Sequence, residues 1–133
     1  MRTWLAAGGL LCAALAAAPP SARAHHSFAM FDTAKRVTLS GTVTAFEWTN
    51  PHVYIELDAP DDKGAVKHWS IELGSPSILM QAGWKFNDIK VNDKITVVFN
   101  PLRSGEAGGL LVTATVRDGR VLGNGPGRAG GQP

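Results

Sequence analysis

The chain has very little sulfur chemistry available to it. Its one cysteine, Cys12, lies inside an apolar run near the start, and only three methionines accompany it. A disulfide framework is therefore excluded, and a thiolate metal centre with it. Long hydrophobic runs are missing too. The longest, Trp4 to Ala18, covers 15 residues, short of the roughly 20 that a membrane-spanning helix needs. Absent as well are a Gly-x-Ser-x-Gly elbow, a His-Glu-x-x-His zinc motif, a phosphate loop and a dinucleotide glycine fingerprint. No nucleophile and base can be paired from spacing, and Glu47, Glu56 and Glu72 make no acid/base pair. The sequence argues against an enzyme without deciding the matter. It also contains no internal repeat.

The first 24 residues have the layout of a secretory leader. Arg2 supplies the positive start, the apolar run follows, Pro19-Pro20 ends it, and Ala22-Arg23-Ala24 gives the small-x-small cleavage pattern. Cys12 follows Leu11, a large residue where lipid attachment expects a small one. The expectation is a signal peptide over residues 1–24, removal of which leaves a periplasmic or secreted protein with no membrane attachment. Arg2 and Arg23 leave with the leader, so 11 basic residues balance 11 acidic ones and the net charge of +2 falls to zero. A neutral exported domain lacks the basic footprint of nucleic-acid binding. Its stability must come from a packed core, for which Trp48, Trp69 and Trp84 are candidates.

Residues 25–122 read as one β-rich domain. Phe28 to Arg36 has no period and forms an arm, partly pinned by Phe28, Met30 and Phe31. Val37, Leu39, Gly41, Val43 and Ala45 alternate with polar neighbours, which predicts a long strand with a bend or bulge at Gly41. Trp48-Thr49-Asn50-Pro51 breaks it. His52 to Asp58 makes a second strand with Val53, Ile55 and Leu57 inward, and Val66 to Leu73 a third. Ser75-Pro76 starts a short helix that Gly83 ends. Ile95 to Phe99 and Leu110 to Val116 are strands four and five, separated by a glycine-bearing loop, and Val121-Leu122 adds a short extension. Residues 123–133 hold five glycines and two prolines and read as a disordered tail. Three strands, a helix and two strands are the element order of the oligonucleotide/oligosaccharide-binding (OB) fold. The expected class is all-β with one short helix, a five-stranded OB-like Greek-key barrel. A generic sandwich shares the strands but explains the placed helix less well.

All four histidines fall in the mature chain. Cleavage after Ala24 would put a free amine on His25, with His26 next. Amine, amide and imidazole nitrogens in that arrangement suit square-planar copper(II), and Met30 could add a thioether for copper(I). His52, beside the irregular loop, is the histidine that could turn a terminal chelate into a defined site. The candidate metal ligands are thus His25, His26 and His52, with copper as the cofactor and holding or delivery as the role. Pairing the second and third strands around Asp62 puts Glu56 near His68, Tyr54 near Ser70 and His52 near Glu72 on the outward face. Glu72 could orient His52 from behind. The alternative is a metal-free module that binds a small ligand or a periplasmic protein through Tyr54, His68, Ser70 and Glu72.

Several of these segments together carry a resemblance. Ala24-His25-His26-Ser27-Phe28, Gly41-Thr42-Val43, Glu47-Trp48-Thr49-Asn50-Pro51-His52, Gly74-Ser75-Pro76, Gly83-Trp84 and Val91-Asn92-Asp93 resemble a family of small exported bacterial proteins classed as a domain of unknown function. The resemblance spans about residues 24–122 and implies export and a barrel; it implies no activity. Where that family often has glycine before the fourth-strand aspartate, this chain has Asn92. In one respect His25 and His52 also resemble the copper brace of exported copper oxygenases and carriers, which suggests a ligand set and not an oxygenase.

Overall fold

A computed structural model of the chain describes residues 28–126. The leader, His25 and His26, and residues 127–133 lie outside the described residues. Six strands and one helix follow a single 3-10 turn at Phe28–Met30: β1 (Val37–Glu47), β2 (Tyr54–Pro60), β3 (Val66–Glu72), α1 (Pro76–Gln81), β4 (Lys94–Pro101), β5 (Gly108–Thr115) and β6 (Val121–Gly123). The order across the sheet is β3-β2-β1-β4-β5-β6, and a parallel pairing of β3 with β5 closes the first five into a barrel. This is the expected OB-like arrangement, with β6 added at the edge. Among the described residues no helix is long and apolar enough to cross a membrane.

Alternation drives the core. Val53, Ile55, Leu57, Ile71, Leu73, Val97 and Phe99 are all fully buried, as period-2 strands require when one face meets the barrel interior. Leu79 of α1 and Trp84 just after it fill the same core. Ser75 caps the helix, accepting from Ile78 N–H at 3.4 Å, and Pro76 occupies its first turn. Gly83 then leaves it with φ 91°. Trp84 donates its indole N–H to the Gly123 carbonyl at 2.8 Å, so one side chain fills the core and fixes β6. Removing such a ring costs about 3–5 kcal/mol. Trp48 and Trp69 are partly buried and pack against the core, and Phe46 links Trp48 to Trp84 with ring centroids 5.6 and 6.1 Å apart.

Four expectations change. The bulge in β1 lies between Val43 and Ala45, not at Gly41. It reverses the alternation beyond it, so Ala45 opposes Glu56 on the outer face and Phe46 takes the core position opposite Ile55. Gly41 serves close approach instead: a Cβ there would sit 2.6 Å from the Asp58 carbonyl oxygen and 2.7 Å from Leu57 Cδ1. Second, β5 begins at Gly108 rather than Leu110. It is held between Ser70–Glu72 on one side and Asn100–Pro101 on the other, and a Cβ on Gly109 would collide with the Asn100 carbonyl. Third, Gly123 and Asn124 belong to the packed domain rather than to a tail, since the Asn124 carboxamide oxygen accepts from Gly74 N–H at 2.7 Å. Fourth, of the three apolar residues expected to pin the arm, Phe31 alone is buried. It is 3% exposed and bridges Leu102, whereas Phe28 and Met30 are 69% and 41% exposed. Asn92 takes the left-handed turn conformation, φ 72°.

Candidate functional site

One end of the barrel carries a cavity of about 230 Å³ whose walls come from well-separated parts of the chain, Leu110 of β5 among them. The arm gives Phe28 and Phe31, the β1–β2 loop gives Pro51 and His52, β3 and its continuation give Glu72 and Leu73, and Asn124 follows β6. Local structure fixes each piece. Thr49 Oγ1 donates to the His52 carbonyl at 3.1 Å within a loop whose Asn50-Pro51 bond is cis. Val53 exchanges backbone hydrogen bonds with Gly74 and Leu73, which extends the β2–β3 ladder past its formal end. His52 is therefore held on rigid backbone at the cavity wall.

The imidazole of His52 lies with Nδ1 3.1 Å from the Leu73 carbonyl oxygen and 3.4 Å from Glu72 Oε1. A carbonyl can only accept, so in the neutral ring Nδ1 carries the proton and Nε2 the lone pair. A backbone carbonyl or carboxylate behind a histidine is the usual device for orienting a metal-binding ring. Glu72, 11% exposed at its side chain, is also the cross-strand partner of Tyr54. Burial, then the neighbouring Glu72 carboxylate, pushes the Tyr54 hydroxyl above its ordinary value near 10. Among the described residues no three His, Cys, Asp or Glu side chains form a group able to hold a metal. His25 and His26 lie outside that set, so of the three expected metal ligands only His52 has a described position.

The outward face of β2 and β3 holds the remaining expected residues in a different register. Tyr54 opposes Glu72, Glu56 opposes Ser70 and Asp58 opposes His68. The backbone register is thus two residues out of step with the expected pairs, which keeps every side chain on its expected face, and diagonal contacts still join Glu56 to His68 and His52 to Glu72. The hairpin loop is the cause. Asp61 Oδ1 accepts from Lys63 and Ala65 N–H, Gly64 N–H reaches the Asp61 carbonyl, and Gly64 turns with φ 81°. A tight turn closed by a left-handed glycine centres the hairpin on Lys63 instead of Asp62.

In the observed register His68 is bracketed by two carboxylates. Its Nδ1 lies 2.8 Å from Asp58 Oδ1 and its Nε2 3.0 Å from Glu56 Oε2, while Ser70 Oγ donates to Glu56 Oε1 at 2.6 Å. Both ring nitrogens can donate only when the ring is protonated. The hydrogen bond to Asp58, supported by Glu56, accordingly raises the His68 pKa above 6.5. The two carboxylates contact opposite ring nitrogens, so they do not converge on one point as metal ligands would. Asp58 had no expected role; counting the hairpin from Gly64 would have found it.

A family model described as a family of unknown function, DUF6152, matches residues 11–113. No curated protein and no solved structure gives a significant match.

Proposed function

The chain belongs to the DUF6152 family of unknown function, and we propose that it is an exported domain that holds or delivers copper at the cavity beside His52. The observation that carries this reading is that Phe28 and His52 line the same cavity. His25 stands three residues before Phe28, and an extended chain covers roughly 3.3–3.6 Å per residue. A terminus released by cleavage after Ala24 is therefore within about 11 Å of Phe28. Its amine, the His25 and His26 rings and the intervening amide supply the nitrogen donors that copper(II) prefers. His52 Nε2 adds a donor from the rigid barrel, with the Leu73 carbonyl and Glu72 holding the ring from behind.

Intact mass of the exported protein is expected to show a start at His25. Copper titration should then give submicromolar affinity, weakened at least tenfold by His52→Ala, in line with the loss of one ligand from a preorganised set. Near-UV circular dichroism checks that the variant keeps its fold. Millimolar affinity, or equal affinity in the variant, would sink the copper reading.

A second reading draws on a different observation. His68 is 57% exposed at its side chain and has its pKa raised by the carboxylates that flank it, a polar surface suited to a small ligand or a periplasmic protein without any metal. On that reading ligand binding survives a chelator and is lost on Tyr54→Ala.

A further inference from the structure

A groove of about 540 Å³ crosses the outer face of the sheet and shares no lining residue with the His52 cavity. Strand register builds its floor. Thr42 stands opposite Asp58 on one side and Lys94 on the other, and Ser40 opposes Thr96, which in turn opposes Thr115. Their neighbours Val43, Ile95, Ala114 and Val116 are buried, so alternation turns these polar side chains outward. Arg117, two residues beyond Thr115, lines the groove on the Lys94 side. Ser40 and Thr96 join their hydroxyls at 2.8 Å. That bond uses one donor and one acceptor, so the pair still offers one O–H and three acceptor positions. Thr42 and Thr115 make no side-chain hydrogen bond among the described residues.

Charge gives the groove a direction. At one end Asp58 already faces His68 Nδ1 at 2.8 Å. At the other, Arg117 Nε lies 3.7 Å from Asp93 Oδ1, while Lys94 has no ion pair among the described residues. A ligand that fits must donate and accept along the hydroxyls and carry negative charge where Lys94 stands. The lining contains no aromatic ring, so it lacks the stacking platform that nucleobases use. Adjacent strands lie about 4.8 Å apart, which steps the hydroxyls at an interval comparable to the width of one sugar ring. We propose that this groove binds an acidic oligosaccharide, with a uronate carboxylate at Lys94 and Arg117 and sugar hydroxyls on Thr42, Ser40, Thr96 and Thr115. An inorganic anion would meet Lys94 and leave the hydroxyls unused. A neutral sugar would fill the hydroxyl row and leave Lys94 unpaired. None of the residues proposed for copper takes part, so the two sites stand or fall separately.

The test titrates the purified protein with tetragalacturonate in the presence of a chelator and follows backbone amides by NMR. The amides of Ser40, Gly41, Thr42 and Thr96 should shift, while those of Leu73 and Gly74 at the His52 cavity stay in place. Lys94→Gln should weaken binding about two- to fivefold, the range of a solvated ion pair, and flatten its dependence on salt. Thr42→Val keeps the shape and strand preference of the residue and removes one hydroxyl, which should weaken binding about two- to tenfold. Unchanged amide positions outside the groove check that each variant keeps its fold. Two comparisons on the wild type decide the ligand class without any variant. Maltotetraose, which has the hydroxyls and no carboxylate, should bind at least about twofold more weakly. Inorganic phosphate should shift only amides around Lys94 and Arg117. Equal binding of maltotetraose, phosphate shifts that match those of the oligomer along the hydroxyl row, or unchanged affinity in either variant overturns the proposal. So does the absence of any shift at Ser40, Gly41 and Thr42 at millimolar tetragalacturonate.

Discussion

His68 makes the stability of the barrel depend on pH in a defined direction. Its ring donates to Asp58 at 2.8 Å and faces Glu56 at 3.0 Å, and these contacts hold its pKa above the ordinary 6.5. A raised folded-state pKa means that the folded protein binds the proton more tightly than the unfolded chain. The associated stability is fully present below about pH 6.5 and is lost as pH rises through the folded pKa. The magnitude is limited by exposure. With the ring 57% exposed, each ion pair falls in the range of about 0.2–1 kcal/mol found for solvated pairs. Two carboxylates sharing one cation should give about 1 kcal/mol in all. The assay is urea unfolding of wild type and His68→Gln at pH 5.5 and pH 9. The wild-type advantage should be about 1 kcal/mol at the lower pH and near zero at the higher, with NMR titration of the ring reporting a midpoint above 6.5. An advantage that is the same at both pH values, or that grows with pH, would refute the reasoning.

Two other perturbations probe the barrel and the cavity wall. Gly41→Ala places a methyl 2.6 Å from the Asp58 carbonyl oxygen and 2.7 Å from Leu57 Cδ1. A backbone oxygen cannot swing away, so the change should cost about 1–3 kcal/mol and lower the melting temperature by roughly 4–8 °C per kcal/mol; an unchanged melting temperature would show that β1 need not pass so close to β2. Tyr54 is the only tyrosine in the sequence, so its ionisation can be followed by ultraviolet absorbance. Burial and the neighbouring Glu72 should place its midpoint above 10, with Glu72→Gln bringing it down. Because the folded pKa is the raised one, this contribution to stability is present below pH 10 and fades as pH climbs through the folded midpoint. A wild-type midpoint at or below 10 contradicts the contact.

How much of this was legible in the sequence depended on whether the determining signal was periodic or positional. Val53, Ile55 and Leu57 alternate cleanly and are all buried, and Ser75-Pro76 with Gly83 marks the helix within a residue of its observed bounds. The closed barrel followed from element order alone. The bulge between Val43 and Ala45 was not legible, because Thr44 resembles the other outward threonines of β1 and nothing local marks it as the extra residue. The register of β2 on β3 was legible in principle, through Gly64, but an acidic turn can be centred on several residues until the left-handed one is known. Gly108 and Gly109 looked like loop residues because glycine has no strand preference. Their role is steric, and it appears only when β3 closes against β5.

The candidate site was the least legible because no contiguous motif builds it. Within Trp48-Thr49-Asn50-Pro51-His52, the residues before Pro51 shape the loop, and Pro51 and His52 reach the cavity. Further walls come from an arm held by the β4–β5 loop, from the end of β3, from Ile78 of α1 and Leu110 of β5, and from Asn124, which looked like part of a tail. Barrel closure brings these segments to one place, so the site is a property of topology. Glu72 ties it to the rest of the molecule. One carboxylate oxygen faces His52 at the cavity, and the same side chain neighbours Tyr54 across the β2–β3 ladder. The cavity and the polar face are consequently two sides of one carboxylate. A change at Glu72 therefore touches both the His52 cavity and the ionisation of Tyr54.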